Sequence, residues 1–277
     1  MHSTRKRLIR LTMELVLLVT VLLVLLGPVL SLVLWSIAET WYWPHALPQQ
    51  IGLQYWHQAL GIHVSLAIGA VSILPALLLS ISIALVTVLI SMAITIPAGY
   101  ALSKYRVPLG GLVLFLFLMP NAFPQMPVFV NLLRIYTRIG LAGTVPGVVI
   151  VHMLVGIVFG VWITSATFKS IPPGLQDAAR SVGATKLITF WRITLPLAAP
   201  GLLASAVFVF IKSLEEFTGT FFVGLPFVTT LPMMLYSASG YNMQFASVIA
   251  LVMLVPSVLF MVLVQKLLRA EYVGGMG

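Results

Sequence analysis

Six long apolar runs, separated by short polar segments, set the pattern of this chain. They lie at Leu11–Ala38, Ala76–Leu102, Leu109–Leu133, Val145–Thr167, Leu195–Phe222 and Met243–Leu268. A helix needs about 20 apolar residues to cross the hydrocarbon core of a bilayer, so the pattern predicts six transmembrane helices. The first run contains Gly27-Pro28 and the last Pro256, while the third carries prolines at 120, 124 and 127 with Asn121 among them. A helix broken in this way frees backbone groups, which a membrane tolerates only where protein or a wet cavity covers them. Residues 39–61, with Trp41-Tyr42-Trp43 and Tyr55-Trp56, read as an aromatic belt at the membrane interface. Segment 62–75 is apolar and ends at Pro75; it reads either as an interfacial helix or as a lead into the second span. In the fourth run, Gly156-x3-Gly160 permits close helix packing.

Charge orients the pattern. Six spans put both termini on one side, and 12 of the 15 lysines and arginines fall in the segments on that side. They begin with Arg5, Lys6, Arg7 and Arg10, to which Glu14 can reach back, and continue through Lys104-Tyr105-Arg106 and the central loop 168–194 to Lys266 and Arg269. Arg134 and Arg138 lie on the opposite side and Lys212 falls inside the fifth run. Positive charge marks the cytoplasm, so both termini and the central loop are expected inside. The first run is too long for a cleavable signal peptide and lacks a small-residue cleavage site, so it reads as a retained span.

Composition excludes most other classes. With 60% hydrophobic and 8% charged residues, the chain is far from a soluble domain. Its net charge of +9 sits in short clusters between apolar runs, which argues against a nucleic-acid partner. The absence of cysteine excludes disulfides, thiolate metal sites and cysteine nucleophiles. No Gly-x4-Gly-Lys-Ser/Thr stretch occurs, so the chain itself has no P-loop for ATP, and His2, His45, His57, His63 and His152 show no metal-ligand spacing. An enzyme reading has no residues behind it, and no cofactor is expected in this chain.

Two stretches carry candidate chemistry. In the fifth run, Lys212-Ser213-Leu214-Glu215-Glu216-Phe217 places charge within a membrane, which is costly enough to suggest function. Lys212 lies three and four residues before the glutamates and can pair with either. One carboxylate is then left for the bundle interior or a wet path, and structural pairing and a path role stay equally open. The second stretch is Leu175-Gln176-Asp177-Ala178-Ala179-Arg180-Ser181-Val182-Gly183-Ala184, running on to Ile193-Thr194-Leu195-Pro196. Pro172 and Pro173 suit the start of a short helix, and Gly183 can take the left-handed conformation that closes it. Alanines 178 and 179 keep its surface low enough for a partner to approach. Leu187, Ile188, Phe190, Trp191 and Ile193 then form an amphipathic piece, and Pro196 opens the next span.

That second stretch, from its acidic residue and two alanines through the later glycine to leucine-proline, resembles the EAA loop of ABC-importer permease subunits, with Asp177 in place of the usual glutamate. The run Ser213-Leu214-Glu215-Glu216-Phe217, with Gly224 and Thr230-Leu231-Pro232, resembles the spermidine/putrescine-type branch of that family. Permeases for phosphonate, ferric iron or sugar look similar. The resemblance implies an all-α membrane protein of the bacterial inner membrane, with an N-terminal part at residues 1–75 and a permease core at residues 76–270. It further implies that Asp177, Ala178, Ala179 and Gly183 couple to one of two separate ATPase subunits, which would carry the ATP and magnesium. The partners it implies are a second permease subunit and an external solute-binding protein. Glu215, Glu216, Phe217 and Asn121 are the expected lining of a path for a small cation such as a polyamine. A stand-alone secondary transporter is the reading from another class; it would need no docking helix and would often show inverted repeats.

Overall fold

The computed structural model describes the backbone of residues 2–42, 44–62, 72–105 and 107–274, with side chains for all of these but 2–10, 120–122 and 267–274. Helix α1 (His2–Ile37) runs through Gly27-Pro28 without a break and leads to a two-stranded antiparallel hairpin, β1 (Ala38–Thr40) and β2 (Gln50–Ile51). Short helix α2 (Gln54–Leu60) follows, then α3 (Leu74–Lys104), α4 (Gly110–Ala122), α5 (Gln125–Arg138) and α6 (Val145–Ser170). The central loop holds α7 (Pro173–Ser181) and α8 (Lys186–Thr189), and a π-helical turn, Phe190–Thr194, joins α8 to α9 (Leu195–Glu215). Helices α10 (Thr218–Gly224), α11 (Leu231–Ser239) and α12 (Met243–Gly274) complete the order. The described residues are mostly helical, and their strand structure is the hairpin at the start of the expected aromatic belt. There the rings of Trp35 and Trp41 stack with centroids 4.3 Å apart.

Five helices among the described residues are long and apolar enough to cross a membrane: Leu11–Ile37, Leu74–Lys104, Val145–Ser170, Lys186–Glu215 and Met243–Lys266. The expected span Leu109–Leu133 is instead two helices. Its break falls at Phe123-Pro124, where Phe123 is extended (φ −86°, ψ 147°) because a following proline disfavours helical backbone. The 13 residues of α4 rise only about 20 Å, short of a bilayer core. Arg134 and Arg138, expected in a loop, belong to α5, whose buried face carries Phe129 and Tyr136. The fifth span is also displaced, from the expected Leu195–Phe222 to Lys186–Glu215. Helix continues upstream of Pro196 because the chain widens into the π turn just before it. That relieves the crowding a proline ring causes at the preceding turn, here at the carbonyl of Arg192. Segment 62–75 falls mostly outside the described residues.

The chain divides into two compact units, residues 1–74 with 235–252 and residues 75–234 with 253–277. In the first, the apolar side chains of α1 from Leu11 to Leu26 face outward, as suits a helix surrounded by lipid. The second is built around α6, which packs most extensively on α9 and also touches α4 and α10. Small residues make this possible. A methyl group on Gly156 would stand 2.9 Å from Cγ1 of Val209, and one on Gly160 would stand 2.8 Å from Cγ2 of Thr95. The Gly156-x3-Gly160 pair is therefore a true packing face, and the Thr164 hydroxyl reinforces it by donating to the Thr95 carbonyl at 2.9 Å. Gly156→Ala should cost about 1–3 kcal/mol through overpacking. Gly174→Ala, with open space around it in α7, should cost nothing and can gain about 0.5–1 kcal/mol. Thermal unfolding of the two purified variants in detergent measures the contrast.

Candidate functional site

The central loop is shaped by its own backbone chemistry. Helix α7 starts with proline at its first position, where no N–H is missed. It ends in a Schellman closure: Ala184 N–H donates to the Ala179 carbonyl at 3.1 Å and Gly183 N–H to the Arg180 carbonyl at 3.0 Å. This requires positive φ at Gly183, which is +90° as its sequence position suggested. Thr185 opens α8 by accepting from the Ile188 N–H. Upstream, Lys104 donates to the Ile171 carbonyl at 2.8 Å, capping the C-terminal end of α6 and fixing where the loop begins.

Helix α7 lies on α8 and the π turn. Gln176 donates from Nε2 to the Thr194 hydroxyl at 3.0 Å, and Thr194 is fully buried in the π turn. Ala179, one turn beyond Gln176, is buried as well. This corrects one expectation: Ala179 faces the protein's own interior and offers no surface to a partner. Period 3.6 puts Gln176 and Ala179 on one face, leaving Asp177, Ala178, Ser181 and Val182 on the other. Asp177 and Ala178 are exposed and Val182 is 86% exposed. In the amphipathic piece, Phe190 packs edge-on against Tyr100 with centroids 4.9 Å apart, while Trp191 stays 60% exposed.

The charged cluster does not form one site. Helix α9 ends at Glu215, and the chain turns through an extended Glu216 before α10. Lys212 pairs with Glu215 at 3.1 Å on an exposed surface. Glu216 points the other way and is 7% exposed. Its Oε1 accepts from the Gly219 N–H at 2.7 Å, capping the first turn of α10. His152 of α6 bridges the break, with Nδ1 at 2.7 Å from the Ser213 hydroxyl and Nε2 at 2.8 Å from that of Thr220. Thr220 donates to the Glu216 carbonyl, so its oxygen accepts from Nε2–H and Nδ1 accepts from Ser213. The network is complete with a neutral imidazole. The two adjacent glutamates therefore sit in different environments, Glu215 in an exposed ion pair and Glu216 in a buried helix cap. Phe217 is half-buried with its ring 5.5 Å from Phe221, and the Asn121 side chain lies outside the described residues. No cluster of three potential metal ligands occurs among the described residues.

Sequence reading missed Gln176, Thr194 and Lys104. The first two lie 18 positions apart and their pairing leaves no local signal, although the shared face of Gln176 and Ala179 was available to periodicity.

Comparison with known proteins adds a family. Residues 91–272 match the model described as binding-protein-dependent transport system inner membrane component. A putative ABC transporter permease protein, ORF1, of Streptomyces antibioticus is 28% identical over 204 residues, covering 72% of this chain and 89% of that one. The trehalose transport system permease protein SugB of Mycobacterium tuberculosis is 35% identical over 136 residues, covering 49% and 50%. Among solved structures, a bacterial alginate ABC transporter in complex with its alginate pentasaccharide-bound periplasmic protein superimposes with a TM-score of 0.70 at 15% identity, over 96% of each chain.

The buried network makes a sharp energetic contrast. His152→Ala leaves the buried Ser213 hydroxyl without its partner, while Thr220 keeps its bond to the Glu216 carbonyl, and should cost about 1–3 kcal/mol. Lys212→Ala, which breaks only the exposed pair, should cost less than about 1 kcal/mol. Thermal denaturation in detergent separates them.

Proposed function

This chain belongs to the binding-protein-dependent transport system inner membrane components, the permease subunits of ABC importers, which are not themselves enzymes. On that premise we propose that α7 is the helix through which it couples to a separate ATPase subunit, and that its solute is a carbohydrate. The observation that carries the coupling role is the division of α7 into two faces. Gln176 and Ala179 fasten it to the π turn and so to α9, while Asp177, Ala178 and Val182 are left open on one side. A short helix tied to the end of a span, with a small, partly apolar open face, suits a docking element that must be gripped from below and move its span. Asp177 is one methylene shorter than a glutamate, so Ala178 and Val182 supply most of the contact area.

The remaining parts follow from the family. A second permease subunit completes the pathway, two ATPase subunits hold the ATP and magnesium, and an external binding protein delivers solute. The inside-positive distribution of lysine and arginine supports cytoplasmic termini and a cytoplasmic α7. For the solute, support comes from the trehalose permease relative, with an alginate transporter sharing the fold. The polyamine alternative rested on a motif resemblance and on the two adjacent carboxylates; the relatives favour sugars over it, and Glu215 is ion-paired while Glu216 caps a helix.

Ala178→Trp should reduce solute-stimulated ATP hydrolysis by the assembled transporter about tenfold or more, since it adds bulk to the docking face without touching the buried one. Yield and melting temperature should not change. Uptake in vesicles should be competed by trehalose or a maltodextrin and not by spermidine. Normal coupling in the variant would remove α7 from this role, and competition by spermidine alone would overturn the carbohydrate assignment.

A further inference from the structure

A groove of about 590 Å³ runs between the inner end of α3 and the start of the fifth span. Its size lies within the range of about 300–1,000 Å³ usual for small-molecule sites. Met92, Ile96 and Pro97 form an apolar wall, Tyr100 and Phe190 contribute edge-to-face aromatic surface, and Lys186 and Trp191 also line it. Among the described residues, the Lys186 ammonium has no acceptor and no ion-pair partner. We propose that this groove holds an acyl chain of an anionic glycerophospholipid, whose phosphate is taken by Lys186.

Three features point to that ligand. The groove lies where α3 ends in Lys104 and the fifth span begins at Lys186, the charged ends of two helices long and apolar enough to cross a membrane, and such ends meet the headgroup region. Trp191, which is 60% exposed, and Tyr105, which is 53% exposed, have the amphipathic rings that favour this level. The charge is also complementary: loop 168–194 carries Lys169, Arg180, Lys186 and Arg192 against Asp177 alone. Basic pockets between membrane helices on the cytoplasmic side are suited to anionic lipid headgroups. A second groove, of about 340 Å³, is lined only by apolar residues such as Val113, Phe117 and Ile157, and nothing there would select a headgroup. The combination of an unpaired cation, aromatic rim and apolar trough separates the first groove from it.

The proposal needs only the membrane placement that comes with the family, and is independent of the solute and of the ATPase contact. It is tested on the assembled transporter in phosphatidylcholine vesicles. The emission of Trp191 is obtained as the difference between the unaltered transporter and Trp191→Phe. Phosphatidylglycerol brominated along its acyl chain should quench that difference about twofold or more beyond equally brominated phosphatidylcholine at the same fraction. Lys186→Gln should abolish the preference, and Lys169→Gln, on an exposed part of the same loop, should retain it. Equal quenching by the two lipids overturns the headgroup selection. Quenching by neither is the result if the second permease subunit fills the groove, and overturns the lipid assignment outright. Equal loss in both lysine variants would reduce the effect to general surface charge and would also refute it. Solute uptake in the same vesicles reports separately on the transport reading.

Discussion

Within hydrocarbon a backbone amide has no water to turn to, and every interruption of a helix must bring its own hydrogen-bonding groups. The second unit is arranged around one such interruption, where α9 stops at Glu215 and α10 begins at Thr218. Glu216 caps the new helix from within the chain, and Ser213 and Thr220, one on each side, are joined through His152 of α6. Helix α6 can place His152 there only because Gly156 and Gly160, one and two turns further along, let it lie close to its neighbours. Close packing and polar satisfaction are thus one arrangement. The tight α6 contact delivers the imidazole, and the imidazole holds the break in the neighbouring helix.

The same logic separates what was legible in the sequence from what was not. Gly183 was legible because a helix closure needs a left-handed residue there and glycine meets that need locally. The spans α3, α6 and α12 were legible because length and hydropathy suffice. Span three was misjudged because composition runs unbroken through Phe123-Pro124 while backbone conformation does not. The start of span five was misjudged because Pro196 looked like a beginning, and a π turn that lets helix continue through such a point has no compositional mark. Glu215 and Glu216, adjacent in sequence, were treated as one charge cluster. The end of α9 between them sends one to the surface and the other into the interior, and only the fold could reveal that.

The proposed coupling gains a mechanical rationale from this geometry. From Lys186 to Glu215 the chain is one helical rod of 30 residues, rising about 45 Å. Helix α7 is fastened near the start of this rod by Gln176 and Thr194, and the His152 network sits near its end. A displacement imposed on α7 therefore has a continuous helical path to the break between α9 and α10. A π turn lies directly at the attachment point, and such turns recur at functional positions because their register can adjust.

The central claim, that the open face of α7 meets an ATPase subunit, is tested most directly by a photoreactive amino acid placed at Val182, which is 86% exposed. The variant would be produced together with its cognate ATPase, binding protein and second permease subunit, and irradiated in native membranes. The expected result is an adduct between this chain and the ATPase, lost when the probe is moved to buried Ala179. Adducts to lipid or to the external binding protein, with none to the ATPase, would contradict the account.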